Sequence, residues 1–276
     1  MSGCLYLVAT PIGNLQELTP RAIEILRSVA YIACEDTRTS RPLLAHFDIH
    51  TPTLAYHNFN EEESSKGLLS LLEEQKDIAV ISDAGYPLIS DPGYRIVQEA
   101  IARNITVIPV SGANAALNAL IASGLENRHF LFYGFLSSKD SEARKEALAL
   151  ARFPYTLIFY EAPHRIFRTL ALLQETLGDR YSVIARELTK IHEEFHRGKL
   201  SELRQKESYR GELVLLISGY QEEEKIIVME DILKMMQSKV AEGLSVKQAA
   251  TACSLYYDWP KSEIYNAYIK EQKNEN

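Results

Sequence analysis

The sequence predicts an α/β protein of two α/β lobes with a helical tail, and three features of the chain carry that prediction. Short apolar runs alternate with amphipathic helical stretches up to Gly124, a rhythm that builds a mostly parallel sheet covered by helices. Beyond Gly124 strand-like runs follow one another more directly, which marks a second, mixed sheet. From residue 221 onward only helical patterns remain. The expected division is therefore 1–115, 116–220 and 221–276, with the first boundary inside 112–125.

The elements follow in order. CLYLVAT (4–10) reads as a buried strand and TPRAIEILRSVA (19–30) as a helix, with Thr19 as N-cap and Pro20 at its first position. YIAC (31–34) is a strand, and TRTSRPLLAHF (37–47) a helix expected to be interrupted at Pro42. NEEESSKGLLSLLEEQ (60–75) is a helix with acidic residues in its first turn, where the helix dipole favours them. DIAVIS (77–82) and ITVIPV (105–110) are strands, GYRIVQEAIARN (93–104) is a helix, and ANAALNALIASG (113–124) is a helix that Gly124 ends.

The second lobe reads as strands 129–135, 156–162, 181–189, 192–200 and 211–220, with helices at 141–152, 164–178 and 201–208. In the tail, 228–243, 244–256 and 260–272 read as three helices. Their cadence fits a helix-turn-helix or a plain helical bundle, and residues 241–273 carry four lysines against four acidic residues.

Composition bounds the function. The 276 residues are 46% apolar and 24% charged, the balance of a globular protein. A net charge of −7 argues against a surface coated for indiscriminate nucleic-acid binding, although it leaves room for a local basic cleft. Cys4, Cys34 and Cys253 have no metal-ligand or disulfide spacing, and no basic, apolar leader opens the chain. A reduced, cytoplasmic protein without a metal is expected.

Three strand-ending loops concentrate glycine, proline and small polar residues: TPIGN (10–14), SDAGYPLISDPG (82–93) and VSGANA (110–115). The carboxyl ends of parallel strands form the ligand crevice in such sheets, so the loops are expected to converge on one site. Asp83 and Asp91 can accept hydrogen bonds from ribose hydroxyls or cap the next helix. A nucleoside-containing ligand fits, but GxGxxG and GxxxxGK[ST] are both absent from the sequence.

TPIGNL (10–15), EDTR (35–38), SDAGYPLISDPG, FYEAPHR (159–165), ARELTKIHEEFHRG (185–198) and GELVLLI (211–217), in this order, resemble the rRNA branch of the tetrapyrrole methylase family over roughly residues 4–272. The resemblance implies a homodimeric enzyme that uses S-adenosylmethionine to methylate the ribose 2′-hydroxyl of a cytidine, position 1402 of 16S rRNA, in the small ribosomal subunit. It also implies a cofactor folded into a cleft between the lobes, beside Pro11, Asp83, Gly85, Leu88, Ser111, Ala113, Tyr160, Leu188, Gly211, Glu212 and Leu213. The chain departs from the family pattern in two places: Tyr86 stands for the usual Thr, and Ser111-Gly112-Ala113 for a Pro-Gly-Pro turn.

A ribose hydroxyl is a poor nucleophile, so a proton acceptor or a cation is needed near it. Three charged groups offer one: Asp36 with Arg38 in EDTR, Glu161 with His164 and Arg165 in EAPHR, and Arg186 with Glu187 and Lys190 in RELTK. Each also reads as a structural ion pair or helix cap. RELTK is favoured for catalysis because it borders the expected crevice, with Glu187 or Lys190 activating or orienting the hydroxyl. His57 and Arg197 join Arg38, His164 and Arg165 as candidate substrate contacts, Arg197 lying in a basic strip from Arg186 to Arg210. Two rival readings are a methylase of a tetrapyrrole precursor and a non-enzymatic, cofactor-sensing nucleic-acid-binding protein.

Overall fold

A computed structural model describes residues 2–56, 61–91, 93–222 and 228–274. It divides into two compact units, Met1–Tyr220 and Gln221–Asn276.

The first unit opens with a five-stranded, all-parallel sheet of β1 (Leu5–Val8), β2 (Tyr31–Cys34), β3 (Thr53–Ala55), β4 (Ile78–Ile81) and β5 (Val107–Val110). The spatial order is β3-β2-β4-β1-β5. Every residue of β4 is buried, which is why IAVI is an unbroken apolar run: helices cover both faces of an inner parallel strand. Helices α1 (Pro20–Ser28), α2 (Thr37–His46), α3 (Glu61–Glu73) and α4 (Tyr94–Ala102) supply that cover. One face packs through Leu26, Ile32, Leu44 and Ile81, the other through Leu5, Leu69, Val80 and Ile96.

Thr19 caps α1 as expected, its hydroxyl accepting from the Ala22 amide at 3.1 Å. Helix α2, by contrast, runs through Pro42 without interruption. The ring removes only the bond to the Arg38 carbonyl, and Arg38 lies at the exposed helix start where water can replace it. Strand β3 escaped the sequence reading because three residues beside Pro52 at a sheet edge leave no periodicity to detect.

Helix α5 (Ala115–Ser123) ends at Gly124 in the left-handed conformation and packs on the second sheet, through Ala116, Ala119 and Leu120 against Ile158, Val183 and Leu216. That sheet has the order β6-β7-β10-β8-β9, from β6 (Phe130–Gly134), β7 (Thr156–Glu161), β8 (Tyr181–Arg186), β9 (Glu194–Lys199) and β10 (Leu213–Ile217). Only β6 and β7 are parallel; β10 runs antiparallel to both its neighbours. Helices α6 (Asp140–Ala149), α7 (Ile166–Leu177) and the single turn α8 (Leu200–Leu203) cover the far face. The helix expected over 201–208 is therefore only one turn long.

The second unit holds α9 (Met229–Ala241), α10 (Val246–Tyr257) and α11 (Lys261–Asn274) around its own core of Ile232, Met236, Ala249, Cys253, Ile264 and Tyr268. Ser245 and Gln248 form a reciprocal capping box at the start of α10, and Asp258 ends it with φ of 51°. Among the described residues no helix is long and apolar enough to cross a membrane.

Candidate active site

The strand order explains why the three loops meet. Strands β4, β1 and β5 are neighbours, so the loops at their carboxyl ends lie side by side. Two backbone hydrogen bonds clip the first loop to the second: Thr10 N–H donates to the Gly85 carbonyl at 2.8 Å, and Gly85 N–H returns to Thr10 at 3.1 Å. The second loop is tied to the third by Tyr86, whose hydroxyl accepts the Gly112 N–H at 3.2 Å. The two stretches singled out above at Tyr86 and at Ser111-Gly112-Ala113 thus touch. Removing that acceptor in Tyr86→Phe is expected to cost about 1 kcal/mol and to speed exchange of the Gly112 amide; unchanged protection of Gly112 would show that the bond does not restrain the loop.

A cleft of about 400 Å³ opens between these loops and the second sheet. Ile12, Gly85, Tyr86 and Asp91 line one side; Tyr160, Leu188 and Gly211 to Val214 line the other. Its size is that of a small-molecule site, and its mixture of apolar side chains with exposed backbone suits a nucleoside-like ligand. The Tyr160 phenol is pushed up chiefly by burial, which outweighs the opposing effect of the Ala116 amide near the start of α5.

At the lip, RELTK forms a compact charged group. Glu187 adopts φ of 50°, so its carboxylate turns back to accept the Glu212 N–H at 2.9 Å and the Lys190 ammonium at 3.0 Å. Lys190 also reaches the Glu212 carboxylate at 3.3 Å. The Glu212 amide, then Lys190, hold the Glu187 carboxyl below its ordinary range. Partial burial pulls the Lys190 ammonium down, but its bond to Glu187 and the charge of Glu212 outweigh that, and it is raised. The stem of Lys190 lies over Gly13, where φ is 149° and a Cβ would come within 2.6 Å of Lys190 Cγ; backbone conformation and close approach together call for glycine in TPIGN.

The other candidates separate. Of the eleven residues expected around the cofactor, Gly85, Tyr160, Leu188, Gly211, Glu212 and Leu213 line the cleft. Pro11 is buried behind it, Leu88 packs into the first lobe's core, and Asp83, Ser111 and Ala113 lie outside the lining. Arg186 donates to the Arg210 carbonyl at 2.7 Å and pairs with Glu194 at 3.1 Å. Arg38, its side chain 87% exposed, is folded onto Asp36, the N-cap of its own helix, whose carboxyl it draws down to about 2. Arg165 pairs with the buried Glu161 at 3.1 Å and donates to the Leu136 carbonyl at 2.9 Å. Arg197 donates to the Ala122 and Ser123 carbonyls, closing the last turn of α5. His164 is exposed beside Pro163 of the cleft lining, and His57 lies outside the described residues.

Sequence reasoning missed Ile12, Asn114, Phe135 and Pro163 in the lining. Ile12 and Asn114 sit inside the loops singled out above, while Phe135 directly follows a strand and gives no signal of its own.

Residues 4–204 match the family model described as Tetrapyrrole (Corrin/Porphyrin) Methylases. The chain belongs to the tetrapyrrole methylase family. It is 44% identical to the ribosomal RNA small subunit methyltransferase I of Bacillus subtilis (strain 168), with 98% of this chain and 95% of that one covered. It is likewise 44% identical to the protein of that name from Synechocystis sp., over 97% and 98% of the two chains.

Among solved structures this tetrapyrrole methylase resembles a diphthine synthase, with a TM-score of 0.63 and 14% identity over 79% of this chain and 90% of that one. It also resembles the uroporphyrin-III C-methyltransferase of Thermus thermophilus complexed with S-adenyl homocysteine. There the TM-score is 0.55 and the identity 19%, over 78% and 97% of the chains. At these identities the likeness is one of fold.

Proposed function

We propose that the protein transfers the methyl group of S-adenosylmethionine to the ribose 2′-hydroxyl of a cytidine in 16S rRNA, in the decoding region of the small ribosomal subunit. The observation that carries the reading is the cleft between the two sheets with the Glu187–Lys190–Glu212 group at its lip. Full-length relatives named for this subunit's rRNA support the acceptor class.

The cleft residues suit the cofactor. Ile12, Tyr160, Leu188 and Leu213 offer apolar surface to a nucleoside, and carboxylates on the wall suit a cation. When bound, the cofactor supplies an electrophilic methyl on a positively charged sulfur. Displacement at that carbon needs the acceptor oxygen held in line, so the protein's main task is alignment.

Lys190 is charged at neutral pH and Glu187 ionised, since Glu187 and Glu212 raise the one, while the Glu212 amide and then Lys190 lower the other. Neither is poised to take a proton. The ammonium instead orients the hydroxyl oxygen and favours negative charge developing on it, while Glu187 fixes the ammonium in place. Lys190→Ala is expected to lower kcat about a hundredfold, with cofactor Kd little changed, and Glu187→Gln to lower it about tenfold. Normal turnover in both variants would remove RELTK from the mechanism.

The basic strip, the tail and a homodimer complete the proposal. A second copy would cover the apolar residues Leu117 and Ile121 that α5 leaves exposed. The deciding experiment combines labelled S-adenosylmethionine with small subunits lacking the modification, then nuclease digestion and mass spectrometry. A single 2′-O-methylcytidine in the decoding region, made by a protein of twice the chain mass in light scattering, is the expected result. Transfer to a tetrapyrrole precursor instead, or bound cofactor with no transfer, would overturn it.

A further inference from the structure

Among the described residues, one carboxylate on the wall of the cleft has other carboxylates, and no cation, as its charged neighbours. Asp91, half-buried at the end of the loop after β4, lines the cleft. Its charged neighbours are Glu35, just past the end of β2, and Asp83 of its own loop, both carboxylates. The Ser82 hydroxyl lies beside it but donates to the Ala84 and Gly85 carbonyls, each at 3.2 Å. From the second lobe it is faced by Tyr160, a neutral phenol, and Glu161 and Glu212 are the other acidic residues of the lining. Tyr56 and Glu35 share with Asp91 a small pocket behind the wall.

The nearest arginine in this chain of contacts is already engaged. Asp83 lies beside Asp36 and Thr39, and Asp36 in turn holds Arg38 at 2.8 Å. A carboxylate withdrawn from water among other carboxylates is unfavourable when empty-handed, and a cationic ligand relieves it.

S-adenosylmethionine and its product S-adenosylhomocysteine share the adenosine, the ammonium and the carboxylate. They differ in one methyl group and the positive charge that this methyl places on sulfur. We propose that Asp91 makes the cleft selective for charge at that sulfur, binding the sulfonium substrate in preference to the neutral thioether product and so easing product release. The inference rests on the cofactor reading above and adds to it a residue that discriminates substrate from product.

Titration supplies an independent handle. Burial first, then the charges of Glu35 and Asp83, push the Asp91 carboxyl up to about 6. The ionised form is the one that attracts the sulfonium, so the preference is present above that value and is lost as pH falls through it. Below it, binding of the sulfonium releases a proton that binding of the thioether does not.

The experiment measures Kd for both ligands by calorimetry at pH 5.0 and 7.5, in the wild-type protein and in Asp91→Asn. The ratio of the thioether Kd to the sulfonium Kd is expected to fall about tenfold in the wild type between pH 7.5 and 5.0. In Asp91→Asn the ratio is expected to be low and equal at both pH values. A ratio unchanged by the substitution overturns the proposal. So does an equal loss for both ligands, which would mean that Asp91 reads the shared ammonium. Should Asp91→Asn fail to fold, the wild-type pH series decides: a constant ratio overturns the proposal and a tenfold fall supports it. Binding of neither ligand to the wild type would overturn the cofactor reading itself.

Discussion

Gly211→Ala is expected to lower kcat/KM for methyl transfer by about a hundredfold or more, and to weaken cofactor binding with it. Gly211 has φ of 79°, and a Cβ there would lie 2.2 Å from Glu187 Oε1 and 2.4 Å from its Cδ. The methyl would evict the Glu187 carboxylate, which loses the Glu212 N–H and releases Lys190 from its bridge. Gly211, Glu212 and Leu213 also line the cleft, so the rearrangement falls at the wall of the cleft itself. Gly124→Ala is the control. That glycine shares the left-handed conformation, with φ of 82°, but no neighbouring atom lies within 4 Å of its Cβ position. It is expected to cost about 1 kcal/mol of stability and to leave turnover near normal. Equal activity in the two variants would show that the Glu187 arrangement plays no part in the reaction.

Arg165→Ala is expected to act on stability, by about 3 kcal/mol. Glu161 is 1% exposed at its side chain, and its carboxylate is satisfied by the Ala162 N–H at 2.8 Å, the Thr169 hydroxyl and the Arg165 guanidinium. Removing the guanidinium leaves a buried charge without its counter-ion, and also opens the tie to the Leu136 carbonyl in the connection between β6 and α6. A loss of roughly 6–12 °C in Tm follows for a unit of this size. The double variant Arg165→Met with Glu161→Gln removes both charges together and is expected to recover most of it. If Arg165→Ala keeps its Tm but raises KM for RNA, Arg165 is a substrate contact.

The parts of the fold that were legible in the sequence were those whose reason is local. Thr19-Pro20 announces a helix start because a hydroxyl and a ring satisfy or omit the first orphan amides. IAVI and LVLLI announce buried strands because central strands have no polar face to show. Gly124 announces a helix end because it reaches the left-handed region without strain. Strand β3 and the full run of α2 were not legible: a three-residue edge strand is made by its partner β2, and Pro42 is tolerated only because the carbonyl it leaves unpaired faces solvent.

The candidate site divides along the same line. RELTK stood out as a cluster of opposite charges, and the three loops as clusters of turn residues. Which charges answer to ligands and which to the protein could not be read in the same way. Arg38, Arg165 and Arg197 look alike in sequence, yet one folds onto its own N-cap, one neutralises a buried glutamate and one closes α5. By itself the sequence determined the α/β rhythm, the loops that carry the site and the family, because periodicity, turn chemistry and motif order are properties of neighbouring residues. Only the tertiary structure decided that Tyr86 holds Gly112, that Lys190 lies across Gly13 between Glu187 and Glu212, and that Asp91 stands among carboxylates. Those contacts join residues from 3 to 177 positions apart, from Lys190 to Glu187 and to Gly13, and a charge is balanced by whatever the fold places beside it.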